Sequence, residues 1–147
     1  MPYDLGAVWE PNTGSPRLLQ IGDAWIVVEP RSDDTDAGWV CIRFHHAYGA
    51  VLGPPNDEAR FGHRLWEAGL SEVHWCGEVL NSDWVHRLER QNSVHPRHDP
   101  ERWTDIRHFV LIFKEDTFEV LCRDVSVVRR TSSAVLDFVR NWVGVST

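Results

Sequence analysis

A single lysine, Lys114, stands in the 147-residue chain; its other cationic side chains are arginines, scattered rather than massed. Asp and Glu number 22 against 15 Lys and Arg, so the net charge is −7. A chain of that sign with no basic patch is not built to track a phosphate backbone, and nucleic acid is excluded as an expected partner. No apolar run approaches the roughly 18 residues of a membrane span, so no membrane role is expected either. The opening MPYDLGAVWEPNTG has neither the basic region nor the apolar core of a secretion signal. The three cysteines, Cys41, Cys76 and Cys122, are odd in number, far apart and set among strand-forming residues. They read as buried thiols in a reducing compartment, not as a disulfide framework. These absences describe a cytoplasmic protein with one domain over 1–147. Residues 1–16, with three prolines and two glycines, form an irregular lead-in to it.

Catalytic signatures are missing as well. No glycine pattern of the GxxxxGK or GxGxxG kind is present, and there is no HExxH or CxxC pair. Ser71, Ser82, Ser93 and Ser126 lie outside any GxSxG elbow, and no cysteine is flanked on both sides by cations that would activate it. No catalytic residue is singled out, and the residues indicate no cofactor.

Tryptophan and histidine, by contrast, are abundant at eight each. For most of the tryptophans the simpler reading is core packing, since each buries a large area and asks one partner for its N–H. The sharper alternative is an aromatic-walled pocket.

The strongest structural signal is His108 to Arg123, HFVLIFKEDTFEVLCR: two apolar, strand-forming runs around a polar break. Without an Asn-Gly or Asp-Gly pair, the break fits a four-residue loop, Lys114 to Thr117. That register sets Phe113 opposite Phe118, Leu111 opposite Val120 and Phe109 opposite Cys122. One face is then wholly apolar, while His108, Val110, Ile112, Glu119, Leu121 and Arg123 share the other. His108 falls opposite Arg123, and adjacent cations make a poor metal site.

Around this hairpin, Gly22-Asp23 suits a tight turn between strands Leu18–Ile21 and Ala24–Val28, with one strand kinked at the glycine as the alternative. Trp39 to His46 alternates as a strand, with Val40, Ile42 and Phe44 facing one way. Pro30 to Gly38 reads as an acidic surface loop. Ala47 to Leu70 reads as mostly irregular, broken at Gly53-Pro54-Pro55, with Asn56 capping a short helix that carries Asp57 and Glu58 in its first turn. Ser71 to Leu80 reads as a strand. Asn81-Ser82-Asp83 caps a helix to about Gln91, Asn92 to Arg102 is a loop, and Val125 to Arg129 is extended. Thr131-Ser132-Ser133 caps a last helix whose Val135, Phe138, Val139 and Trp142 form an apolar stripe ending at Gly144.

Imidazoles at His45-His46 and in His95-Pro96-Arg97-His98 are candidate metal ligands by type. Their spacing matches no known ligand set, and no metal is expected. Of the carboxylates, Asp57, Glu58, Glu78 and Glu119 are the candidates for acid–base work, each with a capping or cross-strand alternative.

The set PNDEA at 55–59, GH at 62–63, EV-NS-W through 78–84, N-HP through 92–96 and HF-F-D-FE through 108–119 resembles an uncharacterised family of small bacterial proteins. The similarity covers about residues 45–124 and implies no established activity. Lys114 stands where members of that family often carry histidine, a departure that weighs against a metal there. The resemblance stresses Asn56, Asp57, Glu58, His63, Asn81 and His95, which are the expected binding residues.

The expected fold is α+β: a largely antiparallel sheet of five to seven strands with two helices packed on it, a β-sandwich or barrel with peripheral helices being the alternative. Three functions remain open: a non-catalytic binding or interaction protein, regulatory or immunity-like, with a protein partner; a small-ligand binder with an aromatic pocket; and a His/carboxylate hydrolase or lyase, with or without metal.

Overall fold

The computed structural model describes residues 1–6, 16–28 and 38–144, with Ser132, Trp142 and Val143 described in backbone only. The acidic loop, most of the lead-in and the side chain of Trp142 therefore lie outside the described residues. Strands β1 (Arg17–Ile21), β2 (Asp23–Val28), β3 (Trp39–His45) and β8 (Asp124–Arg130) form one antiparallel sheet, in the order β1-β2-β3-β8. The second sheet takes β4 (Gly49–Gly53), β5 (Cys76–Val79), β6 (Arg107–Ile112) and β7 (Thr117–Cys122) in the order β4-β7-β6-β5. Helix α1 spans Asp83–Asn92 and α2 spans Ser132–Val143. The fold is α+β and antiparallel, but its eight described strands divide into two sheets, where the sequence predicts five to seven in one.

Alternation explains the layering. Ala24, Ile26 and Val28 of β2 and Val40, Ile42 and Phe44 of β3 face Phe109, Leu111, Phe118, Val120 and Cys122 of β6 and β7 in one buried cluster. A side chain every second residue fills the space between the sheets, and the intervening residues take the outer faces. On the first sheet the outer face is apolar: Trp25, Val27 and Cys41 lie under Val135, Phe138 and Val139 of α2. Thr131 caps α2 by accepting from Ala134 N–H, and Gly144 closes it in the left-handed conformation. No helix among the described residues is long and apolar enough to cross a membrane.

The two sheets share a corner. Pairing runs from Trp39↔Arg130 to His45↔Asp124 in the first sheet and resumes at Gly49↔Leu121 in the second. Three residues separate His45 from Gly49, but only two separate Asp124 from Leu121. The extra residue is a bulge, and His46 occupies it at φ 51°. Bulges of this kind bend a ribbon strongly enough to carry it from one sheet to another. The glycines of β4 disguise this strand in the sequence, and one of them is required: a Cβ on Gly49 would lie 2.9 Å from the Trp84 ring.

Three further expectations are corrected. The β6–β7 hairpin closes through Phe113 N–H on Asp116 O, leaving a two-residue turn, Lys114-Glu115. Leu111 therefore opposes Phe118, Phe109 opposes Val120, and His108 opposes Leu121, not Arg123. A slip of two residues preserves the faces but changes every partner. The predicted strand 71–80 is extended only over Cys76–Val79, because Leu70–Glu72 winds into a 3-10 turn after Gly69 at φ 109°. The first residues of the lead-in are tied down: Tyr3 N–H donates to Cys76 O, and Glu78 N–H donates to Met1 O.

Candidate functional site

The outer face of the second sheet carries polar groups where the first is apolar. His108 on β6 and Glu119 on β7 lie diagonally across the hairpin, between two apolar clusters. One gathers Leu70, Val73, Val110 and Ile112; the other gathers Val85, Ile106 and Leu121. His108 Nε2 is 2.8 Å from Glu119 Oε2, and its Nδ1 is 2.8 Å from Ser82 Oγ. On the other side of the carboxylate, His63 Nε2 is 3.1 Å from Oε1, and Arg64 Nη2 donates to Oε2. The side chain of His108 is 1% exposed, that of His63 8% and that of Glu119 13%.

The hydrogen bonds assign the protons. Leu65 N–H donates to His63 Nδ1, so the proton of that ring is on Nε2, facing Glu119. Ser82 Oγ accepts Val85 N–H as the cap of α1 and lies 2.8 Å from His108 Nδ1, which in the neutral ring with its proton on Nε2 accepts the hydroxyl hydrogen. His108 in turn donates Nε2–H to Glu119. Burial pushes the Glu119 carboxyl up, but the bond from His108, the charge of Arg64 and the nearby His108 and His63 rings more than offset it, leaving it below the ordinary carboxylate value. The result is one ionised carboxylate at the centre of a satisfied relay from Ser82 through His108 to Glu119, with Arg64 balancing the charge.

Beside the relay, at the amino end of α1, a cleft of about 290 Å³ is lined by Ser82, Asn81, Val79, Leu80, Val85, His86, Trp103, Thr104 and Ile106, with Glu78 and Arg107. Glu78 and Arg107 form a two-point ion pair at 2.7 and 2.8 Å. Asn81 holds φ 54°, an unusual conformation that turns the chain from β5 into α1. The side chains of Asn81 and His86 are exposed and make no hydrogen bond among the described residues.

Of the six expected binding residues, His63 reaches the relay and Asn81 lines the cleft. Asn56 caps the 3-10 turn Asp57–Gly62 by accepting Ala59 N–H. Asp57 N–H bonds Lys114 O, tying that loop to the hairpin turn, while Glu58 is exposed. His95 accepts Arg97 N–H within its own loop, and its neighbour His98 bonds Glu89 at 2.7 Å. Sequence reasoning took Ser82 for a cap alone and set His108 aside. The signal that brings them together is the hairpin register, since only the two-residue turn sets Glu119 beside His108. Among the described residues no group of three or more His, Cys, Asp and Glu is arranged to hold a metal ion. Burial raises all three thiols, Cys76 and Cys122 to about 12, which leaves them poor nucleophiles.

Comparison with family models, with curated proteins and with solved structures finds no match.

Proposed function

We propose that the protein binds a small polar molecule in the cleft at the amino end of α1. The observation that carries this reading is the contrast between the relay and its neighbour. The relay spends its hydrogen-bonding capacity internally, whereas the cleft sets the uncommitted side chains of Asn81 and His86 over an apolar floor of Val79, Val85 and Ile106. A concave site with an apolar lining and a few convergent polar groups is what small ligands use. The relay then acts as a pin, fixing α1 and the 63–65 segment on the sheet so that the cleft keeps its shape. Its walls are mixed rather than aromatic, with Trp103 as their one tryptophan, so the pocket differs from an aromatic cage.

Titrating isotope-labelled protein with a panel of amide and carboxylate fragments tests the reading. Amide shifts confined to Asn81, His86 and Thr104, lost in Asn81→Leu with an unchanged melting temperature, support it. Shifts gathered on another face overturn it.

A protein partner is the second reading. Val51, 57% exposed, is paired with Glu119 across β4 and β7, and Phe61, 68% exposed, belongs to the turn that leads into His63. Apolar groups this exposed mark contact surfaces where they gather. Phe61→Glu should abolish capture of such a partner without altering ligand shifts in the cleft.

A further inference from the structure

The relay ends on a hydroxyl, and that hydroxyl belongs to a residue lining the cleft. We infer that Ser82 is an activated nucleophile that takes an acyl group from a small ester held there. The inference rests on the cleft being the ligand site, and it adds a chemistry to that site.

Three observations meet at Ser82. First, its Oγ lies 2.8 Å from His108 Nδ1, and the far nitrogen of the same ring lies 2.8 Å from Glu119 Oε2. This is the order hydroxyl, imidazole, carboxylate, in which the ring takes the hydroxyl proton and the carboxylate stabilises the imidazolium that forms. Here Nδ1 faces the serine and Nε2 the carboxylate, and either ring nitrogen serves as base. Second, Glu119 is itself held by Arg64 and His63, so it cannot swing away from His108. With His108 1% exposed, water does not compete for either bond. Third, Ser82 is the cap of a ten-residue helix. The N–H groups of Asp83 and Trp84 in its first turn have no intrahelical acceptor, and no other acceptor for them is found among the described residues. Those two donors belong to the same helix end as the attacking atom, where the positive end of the helix favours a carbonyl oxygen that becomes negative.

The step balances on these groups. Ser82 Oγ bonds to the ester carbonyl carbon while its proton passes to His108 Nδ1. The carbonyl oxygen carries the charge until the leaving alkoxide departs with the proton returned by His108. The acyl group then rests on Ser82 as an ester. A water molecule entering the cleft gives a proton to His108, adds its hydroxyl to the acyl carbon and releases the acid, and Ser82 Oγ recovers its hydrogen.

The test uses the full chain and a small alkyl fluorophosphonate, whose phosphorus bonds a nucleophilic serine as fluoride leaves. Intact mass should rise by one phosphonyl group, peptide mapping should place it on Ser82, and denaturant should abolish it. His108→Gln should slow labelling by roughly 100-fold or more, the range of lost general-base assistance. The unaltered protein gives the deciding result, so loss of folding in Ser82→Ala or His108→Gln leaves the answer standing. No adduct under conditions that label a known serine hydrolase, an adduct on another serine, or equal labelling in denaturant would overturn the inference. If fragments still shift Asn81 and His86 while Ser82 takes no label, the ligand site survives and the nucleophile falls; shifts elsewhere remove both.

Discussion

The two sheets share a common inner core and differ in what covers their backs. Behind the first, α2 lays Val135 and Phe138 on Trp25, Val27 and Cys41. That contact asks only for apolar area and shape, and many side chains would meet the demand. Behind the second, the cover is joined through a carboxylate, two imidazoles, a guanidinium and a hydroxyl, each of which fixes the position of the next. Apolar cover stabilises without dictating register. A buried polar network adds little stability for its desolvation cost, but it penalises every arrangement except the one that satisfies it. The chemistry proposed for this protein therefore lies behind the second sheet, where positions are fixed to within a hydrogen bond.

The largest test of this contrast is Glu119→Ala. It leaves Arg64 and two imidazoles facing a buried gap, and denaturant titration should show a loss of about 3–5 kcal/mol. Replacing Glu119 and His108 together by leucine makes the second sheet resemble the first and should recover most of that loss. Failure to recover would mean that the relay contributes net stability rather than specificity.

On the first sheet, Phe138→Ala removes a half-buried ring whose centroid is 4.7 Å from that of Trp25. A loss of about 2 kcal/mol is expected, below the ~3–5 of a fully buried phenylalanine. A change under about 0.5 kcal/mol would show that α2 rests loosely there.

Ser82→Ala removes the α1 cap and the hydrogen-bond partner of His108 Nδ1, for a cost of about 1–2 kcal/mol. Ser82→Thr keeps the hydroxyl and should recover most of it on the same titration.

The smallest effect is on acid stability. Glu119 ionises more readily folded than unfolded, so its contribution is present above its ordinary value of 4.5 and is lost as pH falls through the lower folded value. Asp23 behaves alike: burial raises its carboxyl, but the His46 N–H and Arg43 bonds lower it further. Melting temperature measured from neutral pH down to about pH 3 should fall. In Glu119→Gln the fall should be shallower but not flat, since Asp23 still titrates. An unchanged slope would remove Glu119 from the acid response.

Residue patterns made much of the architecture legible. The apolar face of the 108–123 hairpin, the alternation of β3, the Gly22 turn and the caps at Asn56, Ser82 and Thr131 all follow from local chemistry, and the structure has each of them. The division into two sheets was hidden because β4 presents glycines at both ends, and glycine reads as loop until a partner such as Trp84 requires it. The relay was hidden for a narrower reason. Lys114 to Thr117 supports either a four-residue or a two-residue connection, and nothing local decides between them. That choice shifts Glu119 by about 7 Å along its strand relative to His108, enough to make or abolish their hydrogen bond. His63 and Ser82 then arrive from segments 56 and 26 residues away from their partners, beyond the reach of any periodicity.

The corner at His46 has a consequence for the order in which the molecule is made. A ribosome releases β1, β2 and β3 early, and these three can pair at once. The strand that covers the open side of β3 is β8, which begins about eighty residues after β3 ends. Throughout that interval the nascent chain carries Val40, Ile42 and Phe44 on a strand with one bare edge, a template for pairing with neighbouring chains. Protection of this protein during synthesis is therefore a matter of how fast residues 46–123 are translated, and slowing translation there should increase aggregation more than slowing it anywhere after Arg130.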